Sequence, residues 1–196
     1  MGRAKTYSRD TLVERAMELF WSHGFQGTST ADLVEHLGVN RYSVYAEFGS
    51  KQGLFRAAMA LYQRRVTLRF RELEGPSAGL DEIAALLDFL ATEAAEPWAG
   101  RGCFLCNVAT ECAPHDDSSR DFVHGYVDGI RGAFLNALSN AQARGDLEPG
   151  VSCEDHSHML TSTVLGFWVL MRARVDHGLL VGAARAAREQ LDRLRV

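Results

Sequence analysis

Residues 38–50 read GVNRYSVYAEFGS, and the placement of the apolar side chains in this stretch decides how the rest of the chain is read. Glycines bound it at Gly38 and Gly49. Asn40 is a good N-cap, because its side-chain oxygen can accept from an N–H of the following turn, so the spacing predicts a short helix over Arg41 to Phe48. Its only apolar residues are Val44, Ala46 and Phe48, a meagre stripe for a helix that must pack. Val44 and Phe48 are the expected anchors. Arg41, Tyr42, Ser43 and Tyr45 are then left for the outside.

Upstream, Leu12, Val13, Ala16, Leu19 and Phe20 recur at helical spacing, which predicts a helix over Thr11 to Trp21, capped by Ser8 and stopped at His23-Gly24. Thr28 or Ser29 caps a second helix that turns Ala31, Leu33, Val34 and Leu37 inward and ends at Gly38. In Gly38-Val39-Asn40, glycine ends one helix, valine plugs the core and asparagine caps the next. Downstream, Ser50 caps a fourth helix that starts at Lys51 and keeps its period through Leu73, until Gly75-Pro76 ends it. Three short helices joined by glycine turns, the third polar outside, fit a helix-turn-helix. A recognition helix entering the major groove of DNA is apolar only on its inner side, which accounts for the composition of residues 41–48.

The expected roles differ by residue. Arg41 can fork onto a guanine edge, Tyr42 can pack on a thymine methyl, and Ser43 can reach a base edge. Tyr45 can donate to a phosphate. Thr28 and Thr30 flank a helix N-terminus, where backbone N–H groups favour anions. Lys51 can reach the same backbone, Arg3, Lys5 and Arg9 can form an arm over phosphates, and Glu47, an acid on the recognition helix, can pair with Lys51.

Residues 12–55, LVERAMELFWSHGFQGTSTADLVEHLGVNRYSVYAEFGSKQGLF, resemble the TetR family of one-component transcriptional regulators. The marks are Ala16, Leu19-Phe20, Gly24-Phe25, Thr28, the Gly38-Val39-Asn40 turn, Tyr45, Phe48 and the start of the fourth helix at Ser50 to Phe55. The resemblance implies DNA contacts at Thr28, Thr30, Arg41, Tyr42, Ser43, Tyr45 and Lys51. It implies an all-α fold, with a helix-turn-helix head (1–50), a connecting helix (51–74) and a helical bundle for ligand binding and dimerisation (75–196). The expected partners are a double-stranded DNA operator, a small-molecule effector of unknown identity and a second copy of the chain.

The bulk numbers agree. The net charge of −4 hides an asymmetry: residues 1–71 hold 11 Lys/Arg against 6 Asp/Glu, while residues 72–196 hold 10 against 19. Either the front of the chain meets an anionic partner, or the excess is the solvated face of one arginine-rich helix carrying Arg56, Arg64, Arg65, Arg69 and Arg71. No run of eighteen or more apolar residues occurs, so no membrane span is expected, and the basic N-terminus lacks the apolar segment of a secretory signal. A cytoplasmic location follows as the default.

Beyond residue 75 the periodicity predicts helices over Leu80 to Ala94, Cys103 to Cys112, Asp117 or Ser118 to Arg144, Glu154 to His177, and Ala183 to Arg195, with turns at 145–150 and 178–182. The last two are apolar enough for a two-fold, four-helix dimer seam, with Ser162, Gly166 and Ala173 as small positions and Phe167, Trp168 and Leu170 as bulk. Phe89, Trp98, Phe104, Phe122, Tyr126, Phe167, Trp168 and Met171 are candidates for lining an effector pocket.

Cys103-Phe104-Leu105-Cys106 is a C-x-x-C at a predicted helix start, a candidate redox sensor because the helix dipole there favours thiolate; the alternative is two small buried hydrophobes. Zinc ligation by Cys103, Cys106, Cys112 and His115 would need the short helix to bend sharply, so no metal is assigned. No nucleophile sits in a catalytic setting and no pattern calls for a cofactor; the reading is of a non-enzyme.

Overall fold

The computed structural model describes residues 7–94, 96 and 99–196. Arg3 and Lys5 of the expected arm and Trp98 of the expected pocket lie outside the described residues. Among the described residues the chain is all-α, with no named strand.

The head is α1 (Arg9–His23), α2 (Thr30–Leu37) and α3 (Arg41–Phe48). Ser8 caps α1 by accepting from the Thr11 N–H, and Ser29 and Asp32 form a reciprocal capping box on α2. Gly38 takes the left-handed conformation that ends α2, which a side chain would oppose. Leu12, Val13, Ala16, Phe20, Leu33, Leu37 and Val44 are buried together. Ala31, expected inward, is exposed; Leu33 and Leu37, four apart, carry that face alone.

α4 (Lys51–Thr67) packs along α1. The expected single long helix changes character after Thr67: Leu68–Glu74 is a 3-10 segment. Phe70 and Leu73 stay buried through the change, because a spacing of three serves both helix types. α5 (Leu80–Glu93), α6 (Phe104–Glu111), α7 (Asp117–Arg144), α8 (Cys153–Arg172) and α9 (His177–Asp192) form the body. α7 packs chiefly on α8, and α5 on α9. Leu147 and Arg195 make an isolated antiparallel bridge that ties the end of the chain to the α7–α8 turn. Among the described residues no helix is long and apolar enough to cross a membrane.

The boundary between the last two helices differs from expectation. α8 stops at Arg172 and α9 begins at His177, so Gly178 and Gly182 lie inside a helix. The chain reverses instead at Arg174, which takes a left-handed φ of 53°. Leu180, Ala184 and Leu191 keep one buried face through the glycine region, and that tertiary contact outweighs the local cost of glycine in a helix.

Candidate DNA-binding face and thiol site

On α3, Val44 is 2% exposed and Tyr42 is 82% exposed. Phe48 is half-buried against the core. Asn40 accepts from the Ser43 N–H at 2.8 Å and fixes the helix start. The Arg41 guanidinium lies 5.2 Å from the centre of the Tyr45 ring. Hydrogen bonds from the Thr30 and then the Arg41 side chain hold the Tyr45 phenol below its ordinary range. Arg41 and Tyr42 therefore form the outward part of one patch, with Ser43, Tyr45 and Thr30 half-buried beside them.

Three neighbouring expectations change. Thr28 is 1% exposed, and its hydroxyl donates to the Gly24 carbonyl at 2.7 Å; its side chain staples the α1–α2 turn and does not face a phosphate. The Lys51 ammonium donates to the Phe25 carbonyl and lies 4.2 Å from the Phe25 ring centre. Burial lowers the Lys51 pKa, with Glu111 the largest opposing influence. Its ammonium is thus engaged by Phe25, with the side chain half-buried. Glu47 pairs with Arg9 at 3.6 Å, not with Lys51, and Arg9 also lies over the Phe48 ring. The acid on the recognition helix is thereby neutralised from α1. At the start of α2, Asp32 accepts the Ser29 N–H at 2.7 Å as its half of the capping box.

Contacts between head and body were not legible in the sequence. The Glu111 carboxylate at the end of α6 accepts the backbone N–H groups of Phe25 at 3.1 Å and Gln26 at 2.6 Å. Arg172 at the end of α8 donates to the carbonyls of Trp21 and Ser22, at 3.4 and 3.1 Å, where α1 ends. The Trp21 indole donates to the Arg101 carbonyl at 3.1 Å. Phe25, Phe20, Phe55, Phe104 and Tyr62 continue this junction as a chain of ring contacts.

Cys103 caps α6 and is buried beside Cys106. Its sulfur lies 3.4 Å from the Tyr126 hydroxyl. Burial pushes the Cys103 thiol up, but hydrogen bonds from the Cys106 thiol, the Tyr126 and Tyr62 hydroxyls and the Cys106 N–H outweigh it and bring it to about 6. The Cys106 thiol is pushed up by donating to Cys103 and by burial. Among the described residues no group of three or more His, Cys, Asp or Glu side chains could hold a metal ion.

The expected pocket residues do not converge. Phe104, Phe167 and Trp168 are core residues, and Phe122 is half-buried against that core. Phe167 and Trp168 are therefore also withdrawn from any partner surface, whereas Leu170 is exposed. Tyr126 borders a small cavity of 130 Å³ with Phe70 and Ile130. Met171 borders a separate one of 370 Å³ near Arg174 and His177. Phe89 is exposed and lines a groove between the 3-10 segment and α5. Aromatic residues at helical spacing mostly fill the interior here, because close packing leaves few voids.

Comparison with known proteins agrees with this geometry. Residues 12–58 match the family model for bacterial regulatory proteins, tetR family, and residues 79–187 match that for the tetracyclin repressor-like C-terminal domain. The HTH-type transcriptional repressor ComR of Escherichia coli (strain K12) is 30% identical over 176 residues, which cover 87% of this chain and 82% of that protein. A cysteine-substituted form of the TetR family transcriptional regulator CifR, solved with a 26-base-pair double-strand operator, superposes with a TM-score of 0.84 at 29% identity, over 95% of this chain and 98% of that one. A TetR transcriptional regulator from Chloroflexus aurantiacus gives a TM-score of 0.84 at 26% identity, over 95% of each chain. An outward-facing recognition helix on a capped helix-turn-helix, carried by a body that matches the family's own C-terminal model, places this chain in the TetR family of transcriptional regulators.

Proposed function

We propose that the chain is a homodimeric repressor that holds a palindromic operator with residues 1–50 and releases it when residues 75–196 respond to an effector, residues 51–74 joining the two. The observation that carries this reading is the exposed pair Arg41 and Tyr42, with half-buried Tyr45 beside them, on a helix locked by Val44. Arg41 reads a base edge; Tyr42, Ser43, Tyr45 and Thr30 fix the approach. The repressor name of ComR supports the sign of the regulation.

The dimer seam in this reading is the exposed face of α8 and α9. Met159, Val169 and Leu170 are exposed on α8, as are Leu179 and Val181 on α9, and Ser162, Gly166 and Ala173 are exposed small positions between them. Such a stripe on two adjacent helices suits a self-complementary four-helix contact. Two recognition helices then fall about one DNA turn apart.

The test is selection of bound duplex from a random pool, followed by titration of the best site. Arg41→Ala is expected to cost about 1–3 kcal/mol on that site and relax one base position. Equal loss on every sequence would reduce Arg41 to a phosphate contact, and no selected site at all would overturn the reading.

The thiol site favours a second trigger, oxidation. The Cys103 thiolate attacks one oxygen of a peroxide; an S–O bond forms, the O–O bond breaks and one oxygen leaves as water. The Cys106 thiol then displaces the hydroxyl from sulfur as a second water and closes a disulfide. Two thiols are oxidised and one peroxide reduced. α6 carries the cysteines at one end and Glu111 at the other, so a change at the thiols reaches the turn beside α2.

A further inference from the structure

The groove between the 3-10 segment and α5 has a volume of about 440 Å³, within the range of small-molecule sites. Its floor is apolar: Leu73 and Leu86 are buried beneath it, and the small Ala85 opens its middle. Phe89 stands at one end, 47% exposed. Asp81 and Glu82 stand two turns away at the other, about 12 Å along the helix at 1.5 Å per residue. Glu72 borders the groove from the 3-10 segment.

The charge around this groove is committed in an instructive way. Among the described residues the cation lining it is Arg69, which lies 5.5 Å from the centre of the Phe89 ring and is ion-paired with Glu93, itself 6% exposed and accepting the Trp168 indole N–H at 3.4 Å. Taking Arg69 from Glu93 would leave a buried, uncompensated carboxylate, a strongly unfavourable state. The guanidinium is therefore not available to an anionic ligand. Asp81 pairs with Arg195 at 2.6 Å. Glu82 accepts the Gly79 N–H, and among the described residues no Lys, Arg or His lies within ion-pair distance of Glu82 or Glu72. An apolar trough with an aromatic ring at one end and unneutralised carboxylates at the other is complementary to one kind of molecule.

We propose that this groove binds an amphipathic organic cation, with its apolar body over Ala85 and Leu86 and its positive group beside Glu72 and Glu82. A molecule seated there presses on the 3-10 segment, which continues α4 and so reaches the head. The binding stands by itself; its effect on DNA rests on the operator-binding reading above.

The test uses the full-length protein and three probes of equal chain length, octyltrimethylammonium, octanoate and octanol, followed by calorimetry. The cation is expected to bind most tightly. Ala85→Trp, a substitution at an exposed position, fills the trough and is expected to abolish binding. Glu72→Gln with Glu82→Gln is expected to weaken the cation about 2- to 10-fold, as for exposed charge pairs, and leave octanol unchanged. Octanoate binding as tightly as the cation, or cation binding that survives Ala85→Trp, would overturn the proposal. With the selected operator, saturating cation is expected to lower DNA affinity in the parent and not in Ala85→Trp. An unchanged operator affinity would refute the effector role of the groove, whereas a protein that selects no operator without any cation refutes the regulator reading instead.

Discussion

Lys51 opens α4 with a positive charge, yet its ammonium is committed to the carbonyl and ring of Phe25. Replacing it with Gln should therefore leave the salt dependence of operator binding unchanged, because a side chain that neutralises no phosphate releases no counterion. The same substitution should lower stability by about 1.5–3 kcal/mol, the usual range for a hydrogen bond to a charged group, read from a denaturant midpoint. Arg41→Ala should do the opposite, changing DNA affinity and sparing stability. Sequence supplied the right residue types at both positions but not the direction of their polar atoms: Thr28 and Lys51 turn inward because Gly24 and Phe25 present bare carbonyls to them, and those carbonyls become neighbours only in the folded head. Cys103 is a third case. Its thiol is drawn down to about 6 by donors on three other residues, against the effect of burial, so it is mainly thiolate at neutral pH and becomes protonated as the pH falls through that value. The ultraviolet absorbance of the buried thiolate should be present at pH 7, fade below pH 6, and be lost in Cys103→Ser.

At the scale of elements, α3 was legible because everything that defines it is local: Asn40 caps it, Gly49 ends it, and Val44 with Phe48 gives its inner side. The turn between α8 and α9 was not. Gly178 and Gly182 look like breakers, but they lie inside α9, and the reversal is made by Arg174. The switch to a 3-10 segment after Thr67 was equally hidden, since Phe70 and Leu73 satisfy both helix types. α6 has a testable role as a strut. Glu111→Gln keeps the size of the side chain and loses the charge that two backbone N–H groups of the α1–α2 turn receive. Hydrogen exchange at Phe25 and Gln26 is expected to accelerate about 5- to 30-fold, corresponding to about 1–2 kcal/mol for weakened charge-assisted bonds, while amides in α7 keep their protection.

For the whole molecule, the basic excess of the first 71 residues falls on residues 51–71, with 6 Lys/Arg and no Asp/Glu, whereas residues 1–50 hold 5 against 6, so the charge division marks α4 and the 3-10 segment and not the recognition head. The apolar stripe of α8 and α9 belongs to the same scale, because it gains meaning only from a second copy. Val169→Glu with Leu170→Glu places like charges across a two-fold contact. Sedimentation is expected to show monomer, and affinity for the palindromic site should fall to the level of a half-site, with helical content by circular dichroism preserved. A dimer that survives both substitutions would move the seam elsewhere.

The body holds the head at separated places: Arg172 on the end of α1, Glu111 on the turn that follows, and Arg101 through the Trp21 indole. A door on one hinge swings freely, but one bolted along its edge moves only with its frame. In the proposed dimer, the gap between the two heads is then set by the tilt of one whole subunit against the other. Spin labels placed on α3 and on α6 of the same subunit should keep a constant separation when effector is added, while the α3-to-α3 distance across the pair changes.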